Sequence, residues 1–144
     1  LTAVFSAGGV EAVVTSDLEV IRQADRLVLP GVGAFEDAIA KLRATGLDRE
    51  VCSQAKNGKP FWMRYVLVPG YSNAEEDIRA LGEHFKDYQM IQRIEILPYH
   101  TLGVHKYEAM GKEYKLQGVK ENTPAQLDAA HDLFEEYFDC VFVN

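Results

Sequence analysis

Three observations in this sequence predict an α/β fold with a mostly parallel sheet. Short apolar runs alternate along the chain with segments of helical period, which is the pattern of strands joined by helices. The longest apolar run, FWMRYVLVPG at 61–70, is continuous, as is typical of a strand buried on both faces. The length of 144 residues suits one domain with its own core. We therefore predict four or five mostly parallel strands with helices on the faces of the sheet, a hybrid of a flavodoxin-like fold and a half-barrel.

The predicted strands are apolar runs bounded by glycine, proline or polar residues. They are 11–15, 26–30, 61–69, 91–98 and 140–143. Residues 1–10 fit either a frayed helix or a short strand. Between 100 and 122 no period is visible, and a structureless loop of that length in a compact domain is usually functional or mobile.

Capping signals mark where the predicted helices begin, because a Ser, Thr, Asp or Asn side chain can accept from the first free backbone N–H groups. The signals are Ser16-Asp17 with Glu19, Asn73 with Glu76, and Thr123-Pro124 with Gln126. Cys52 lies on the apolar stripe of a further predicted helix. We therefore expect its thiol to be a small buried apolar group.

The charge balance excludes several classes of partner. A net charge of -7 would repel the phosphates of nucleic acid and of anionic membranes. No apolar run approaches the roughly 20 residues that a membrane-spanning helix needs. We also find no basic region of the kind that begins a signal peptide. Two cysteines are too few for a disulfide scaffold. These features predict a soluble protein, produced in the cytoplasm, without nucleic-acid or membrane partners.

The first part of the chain contains the words VVTSDLEVIRQADRLVLPGVGAFEDAIAKLRATGLD. On these words residues 13–51 resemble the glutamine amidotransferase subunit of imidazole glycerol phosphate synthase. The resemblance implies that the turn Gly31, Val32 and Gly33 is an oxyanion strand, where glycines let backbone N–H groups face an anion. The nucleophile elbow of that family does not follow at residues 58–64, so the resemblance implies no glutaminase activity.

The second part contains the words WMRYVLVPGYSN, LPYHTLGVHKY and MGKEYKL. On these words residues 61–143 resemble the C-terminal part of the pyruvate formate-lyase activating enzymes, which are radical S-adenosylmethionine proteins. The resemblance implies strands and helices of a partial βα barrel. It also implies that His100 contacts the adenine end of S-adenosylmethionine and that Arg64 lies close to cofactor and substrate. The loop after His100 would lie near the docking site of the partner enzyme's glycyl loop.

The radical reaction needs an iron–sulfur cluster on a CxxxCxxC loop, and Cys52 and Cys140 cannot replace three closely spaced thiolates. Both parts of the chain thus lack the reactive cysteines of the families they resemble. We accordingly predict a single domain, 1–144, that is an engineered or recombined chimera of fragments 1–58 and 59–144. It would not be an enzyme and would have no catalytic residue, metal or cofactor. Homodimerisation or strand exchange would cover an exposed sheet edge.

The alternative hypothesis is a residual binding module. It would hold S-adenosylmethionine, another adenine nucleotide or phosphate at the C-terminal ends of the strands. The residues would be His100, Arg64 and the turn from Gly31 to Gly33, where a following helix favours anions. Each also has a structural interpretation. His100 can simply be solvated, the turn can serve geometry alone, and Arg64 in an apolar strand needs a partner, for which Glu95 is the candidate.

Overall fold

The computed structural model describes residues 12–29 and 35–144. The chain divides into two compact units, Leu1–Lys59 and Pro60–Asn144. The ambiguous segment 1–10 and the glycine turn at 31–33 lie outside the described residues. The prediction that the whole chain is one domain stays a prediction.

The described part of the N-terminal unit is helical. Helix α1 spans Leu18–Gln23, α2 spans Phe35–Thr45 and α3 spans Leu47–Lys56. Asp17 rather than Ser16 caps α1, with its carboxylate accepting from the backbone N–H of Glu19 at 2.8 Å. Gly46 separates α2 from α3 with a left-handed φ of 73°, a conformation that glycine adopts without a Cβ penalty.

Two predicted strands are wrong over their described residues. Residues 12–15 and 26–29 form no regular element and pair with no strand of the described chain. Their apolar side chains are largely exposed, and Val14 reaches 84%. A segment without a neighbouring strand leaves its backbone groups to water, so apolar composition alone does not make it a strand.

Polar contacts join the helices of this unit. Glu50 on α3 is buried and accepts from Arg22 at 3.1 Å and from Gln54 at 2.8 Å. The Gln54 hydrogen bond and the Arg22 guanidinium hold the pKa of Glu50 below its usual range. Lys59 donates to the carbonyl oxygen of Ala24 at 2.6 Å. Cys52 is exposed, so its predicted burial is wrong, because the covered face of α3 carries Glu50, Val51 and Gln54 instead.

The C-terminal unit contains the sheet. Strand β1 spans Phe61–Leu67, β2 spans Ile91–Pro98 and β3 spans Val141–Val143. They pair in parallel in the order β1-β2-β3. The α/β class with a parallel sheet is thereby confirmed, while the described residues form three strands rather than the four or five that we expected.

Three helices accompany these strands: α4 over Glu75–Phe85, α5 over Val104–Ala109 and α6 over Pro124–Glu135. Thr123 caps α6 in a full capping box with Gln126 and with proline at the first helical turn, as predicted. The predicted cap of α4 is wrong. Ala74 occupies the N-cap position, and Asn73 instead accepts from the N–H of Gly70 at 2.6 Å.

One face of the sheet packs on α4 and α6 and forms the core. Each large apolar side chain buried here stabilises the fold by about 1.5–3 kcal/mol. Phe134 of α6 is fully buried and meets Tyr65 of β1 edge to face at 5.3 Å. Gly82 lies so close to Tyr137 that an added Cβ would come within 2.4 Å of its ring. The core consists of Leu67, Ile78, Ile91, Ile94, Ile96, Ala130, Phe134, Phe138 and Val141.

Strand β1 is not buried on both faces, contrary to the prediction. Its burial alternates along Phe61–Leu67, because only every second side chain points toward the helices. The other side chains, Trp62, Arg64 and Val66, are exposed. A continuous apolar sequence therefore did not predict burial on both faces of β1. Among the described residues no helix is long and apolar enough to cross a membrane.

Candidate functional site

The sheet face opposite α4 and α6, which we call the open face, carries the candidate site. Strand alternation places every second residue of β1, β2 and β3 on it. Trp62 is 59% exposed there, beside the half-exposed Val66 and Phe142. An exposed apolar surface that surrounds charged side chains is typical of a binding site. The open face consists of Trp62, Arg64, Val66, Arg93, Glu95 and Phe142.

A buried carboxylate lies at the centre of the open face. Glu95 is only 7% exposed, and its two oxygens accept from two arginines. The Nε of Arg64 donates to Oε2 and the Nε of Arg93 donates to Oε1, each at 2.8 Å. The cross-strand pair of Arg64 and Glu95, which are directly opposite in register, confirms the predicted structural partner. Two cations around one anion leave the group with a net positive charge.

The two arginines differ in what surrounds them. Arg93 lies between two aromatic rings, with its guanidinium carbon 4.0 Å from the centroid of Phe142 and 5.4 Å from that of Trp62. Cation–π attraction holds it there. The side chain of Arg64 is 59% exposed. It meets Glu95 through Nε, which leaves its two terminal nitrogens available to donate to a further acceptor.

His100 follows the carboxyl end of β2, the edge of a parallel sheet where ligands commonly bind. Its side chain is exposed, and its two neighbours are fixed. The backbone N–H of Tyr99 donates to Oδ1 of Asn122 at 2.7 Å. The N–H and the hydroxyl of Thr101 donate to Glu121 at 3.2 and 3.3 Å. Arg64 and His100 therefore both belong to the C-terminal unit, while the predicted anion-binding residues Gly31, Val32 and Gly33 lie outside the described chain.

The segment between His100 and Asn122 is structured, although its sequence shows no period. Helix α5 lies in its first half. The hydroxyl groups of Tyr99 and Tyr114 are 2.7 Å apart, and the ring of Tyr107 meets that of Tyr114 edge to face at 5.0 Å. Burial, followed by the hydrogen bond with Tyr99, raises the pKa of Tyr114 to about 12. The segment is thus attached to β2 at several points.

Sequence reasoning missed several residues of this site. Arg93 and Trp62 were detectable, because each lies two positions from a predicted site residue and so shares its face of the strand. Phe142 could be assigned to the site only from the pairing of β3 with β2, which no local sequence pattern predicts. Asn122 and Glu121 act on residues 23 and 20 positions away, a distance that periodicity does not report.

The chain is similar to curated proteins named pyruvate formate-lyase-activating enzymes. It is 47% identical over 85 residues to that of Streptococcus mutans, a match that covers 56% of this chain and 32% of the relative. It is 45% identical over 76 residues to the Escherichia coli K12 pyruvate formate-lyase 1-activating enzyme, covering 53% and 31%. For the Staphylococcus aureus USA300 protein the identity is 42% over 73 residues, covering 51% and 29%.

The chain spans about a third of the length of these relatives. No protein-family model matches it. The similarity supports the resemblance assigned to residues 61–143. The amidotransferase resemblance of 13–51 receives no such support.

These names overturn the prediction of an engineered chimera without catalytic activity. The sequence that this chain shares with natural proteins of several bacteria is sequence of enzymes. The prediction that the chain is not an enzyme is wrong for the same reason. That prediction rested on the absence of reactive motifs from this chain. Because the chain spans only about a third of the length of its relatives, the absence of those motifs is no evidence against an activity.

The chain's own cysteines do not fit an iron–sulfur cluster. Cys52 is exposed in the N-terminal unit, while Cys140 is half-buried in the C-terminal unit, where its thiol donates to the carbonyl of Ile91 at 3.7 Å. A [4Fe–4S] cluster needs three or four thiolates about one centre.

Proposed function

We propose that this chain contributes to a radical S-adenosylmethionine activating enzyme, and that its C-terminal unit binds and orients the nucleotide cofactor and the polypeptide to be activated. The carrying observation is the open face, a parallel sheet surface on which a buried carboxylate fixes two arginines among exposed aromatic rings. The names of the relatives, which are activating enzymes of pyruvate formate-lyase, supply the reaction class.

The open face supports a binding role because its charged side chains are held in position without a ligand. Glu95 holds Arg64 and Arg93 through their Nε groups, which limits the rotamer freedom that binding would otherwise remove. The exposed fork of Arg64 can donate two parallel hydrogen bonds to a carboxylate. The methionyl end of S-adenosylmethionine and the backbone of a polypeptide both present such acceptors.

The carboxyl end of β2 supports the nucleotide role. His100 is exposed there between two residues with fixed backbones, so its imidazole can stack on or hydrogen-bond an adenine ring. When bound near a reduced cluster, S-adenosylmethionine supplies the radical. The part of this chain's residues would be to hold and orient the cofactor.

Titration of the chain with S-adenosylmethionine tests this function. We expect heat of binding by calorimetry and a change in tryptophan fluorescence, because Trp62 is the sole tryptophan and lies on the open face. His100→Ala and Arg64→Lys should each weaken binding by about tenfold, the value of one hydrogen bond to a charged or desolvated group.

Matched controls are available elsewhere in the chain. His84→Ala removes an exposed histidine from α4, and Arg43→Ala removes an exposed arginine from α2. Neither should change the affinity. Absence of both heat and fluorescence change at about 1 mM ligand, the limit of weak specific binding, would contradict the proposed function, as would equal losses in the controls.

Two earlier expectations remain proposals for separate tests. Phosphate binding by Gly31, Val32 and Gly33, which their predicted place before a helix suggested, predicts phosphate-dependent shifts of their amide NMR signals. Homodimerisation or strand exchange predicts a doubled mass by light scattering. Unshifted amide signals or a monomer mass would remove the respective proposal.

A further inference from the structure

The two residues before the N-cap of helix α6, Glu121 and Asn122, reach back to the end of β2 and hold both neighbours of His100. Asn122 Oδ1 accepts from the N–H of Tyr99 at 2.7 Å, and Glu121 accepts from the N–H and hydroxyl of Thr101. His100 itself remains exposed between them. Such an arrangement fixes the backbone on either side of a side chain while leaving that side chain open to solvent.

The anchor behind this contact is rigid. Thr123 follows Asn122 directly and begins α6 with a capping box and a proline, which is among the strongest N-terminal signals. Phe134 of the same helix is fully buried in the core. A displacement of Asn122 would therefore disturb the helix cap. The position of the residues around His100 is thus tied to the core through α6.

A second contact closes the same segment from its middle. Tyr99 is buried, and its hydroxyl meets that of Tyr114 at 2.7 Å. Tyr99 is thus held at its backbone by Asn122 and at its phenol by Tyr114. The segment from 100 to 122 forms a loop whose ends are fastened beside His100, in the manner of a compact surface loop that packs on its own side chains.

The amide of Asn122 carries a cost that its contact with Tyr99 offsets. Its Nδ2 is buried and donates to no acceptor among the described residues. A buried donor without a partner is unfavourable and needs a reason. The hydrogen bond from the Tyr99 N–H to Oδ1 is that reason. A residue at position 122 without a side-chain acceptor would leave the Tyr99 N–H unpaired.

We infer that Asn122, supported by Glu121 and Tyr114, is a positioning residue for His100. It holds the carboxyl end of β2 in one conformation, so that the imidazole meets the adenine end of a nucleotide without a prior loss of backbone freedom. This inference rests on the proposed function for the identity of the ligand. The positioning itself is a property of the free chain.

Asn73 offers a matched control, because it makes the same contact at the end of the neighbouring strand. Its Oδ1 accepts from the N–H of Gly70 at 2.6 Å in the turn after β1. Asn73→Ala and Asn122→Ala thus each remove one side-chain acceptor from one backbone N–H at the same edge of the sheet. Asn122→Asp keeps the acceptor and removes the unpaired donor.

Amide hydrogen exchange and the imidazole NMR signals of His100 test the positioning in the free protein. Asn122→Ala should speed exchange at Tyr99 by about tenfold, the loss of one hydrogen bond, and should broaden the His100 signals. In Asn122→Asp, which keeps the acceptor, the Tyr99 exchange rate and the His100 signals should match those of the unaltered chain. Asn73→Ala should affect Gly70 and leave His100 unchanged.

The outcomes separate this inference from the proposed function. If Asn122→Ala leaves Tyr99 exchange and the His100 signals unchanged, or if Asn73→Ala alters them equally, Asn122 does not position His100. If the signals change as expected but the unaltered chain binds no S-adenosylmethionine, the positioning holds and the proposed ligand is wrong. If both hold, Asn122→Ala should weaken that ligand as much as His100→Ala does.

Discussion

The two units of this chain bury different kinds of side chain. In the described N-terminal unit the buried residues are Ile21 and the carboxylate Glu50, and hydrogen bonds of Arg22 and Lys59 join its segments. The C-terminal unit has a contiguous apolar core between one sheet face and two helices. Both units contain apolar runs of similar appearance in the sequence. The difference shows that apolar residues stabilise a fold only where a second layer covers them.

The largest expected effect breaks the core of the C-terminal unit. Phe134→Ala removes a fully buried ring that meets Tyr65, and such a truncation costs about 3–5 kcal/mol in the free energy of unfolding. Chemical denaturation followed by circular dichroism measures it. Val14→Ala, at an exposed apolar residue of the other unit, should stay within about 0.5 kcal/mol. A similar loss in both variants would abolish the contrast between the units.

A smaller effect concerns the buried carboxylate of the C-terminal unit. Glu95→Gln keeps the shape of the side chain but removes the charge that holds Arg64 and Arg93. We expect a loss on the order of 1–2 kcal/mol, below that of a fully buried ion pair because Arg64 is largely exposed and can be solvated. The fluorescence of Trp62 should also change, since Arg93 lies against its ring. Unchanged stability and fluorescence would mean that the group is not ordered in solution.

The smallest expected effect is a pH dependence in the N-terminal unit. Because Gln54 and Arg22 depress the pKa of Glu50 in the folded chain, the stabilisation is present above the unfolded pKa and is lost as pH falls through the folded pKa. The protection of the α3 amides against exchange, measured relative to their intrinsic rates, should therefore decrease below about pH 4.5. Glu50→Gln should remove this dependence. Its persistence in that variant would assign it to another group.

The sequence predicted what short-range chemistry decides. Thr123 with Gln126 is a local signal and gave the start of α6 correctly. The pairing of Arg64 with Glu95 followed from the requirement that a charge in an apolar strand have a partner. The strands predicted at 11–15 and 26–30 are wrong over their described residues, because a strand also needs a neighbour and apolar composition does not supply one.

The rest of the site depends on tertiary placement. Strand β1 looked buried on both faces because Trp62 and Val66 are apolar, yet both lie on the open face. Phe142 reaches Arg93 only through the pairing of β3 with β2. The contacts of Asn122 and Tyr114 with Tyr99 join residues far apart in sequence. Such contacts have no period, so a reading of 100–122 by period could find only a loop.

The order of the strands has a consequence for how the C-terminal unit folds. Each strand pairs with the next one along the chain, so the sheet can grow in the order in which it is synthesised. The first closure joins Arg64 to Glu95 over 31 residues, and the second joins Ile91 to Cys140 over 49. Loop-closure entropy rises by only about 0.6 kcal/mol per doubling of loop length, so neither step is much slower for entropic reasons. The hydrogen bond between Tyr99 and Asn122 closes a loop of 23 residues within the connection between β2 and β3. If it forms first, it shortens the effective loop that the pairing of β3 must close.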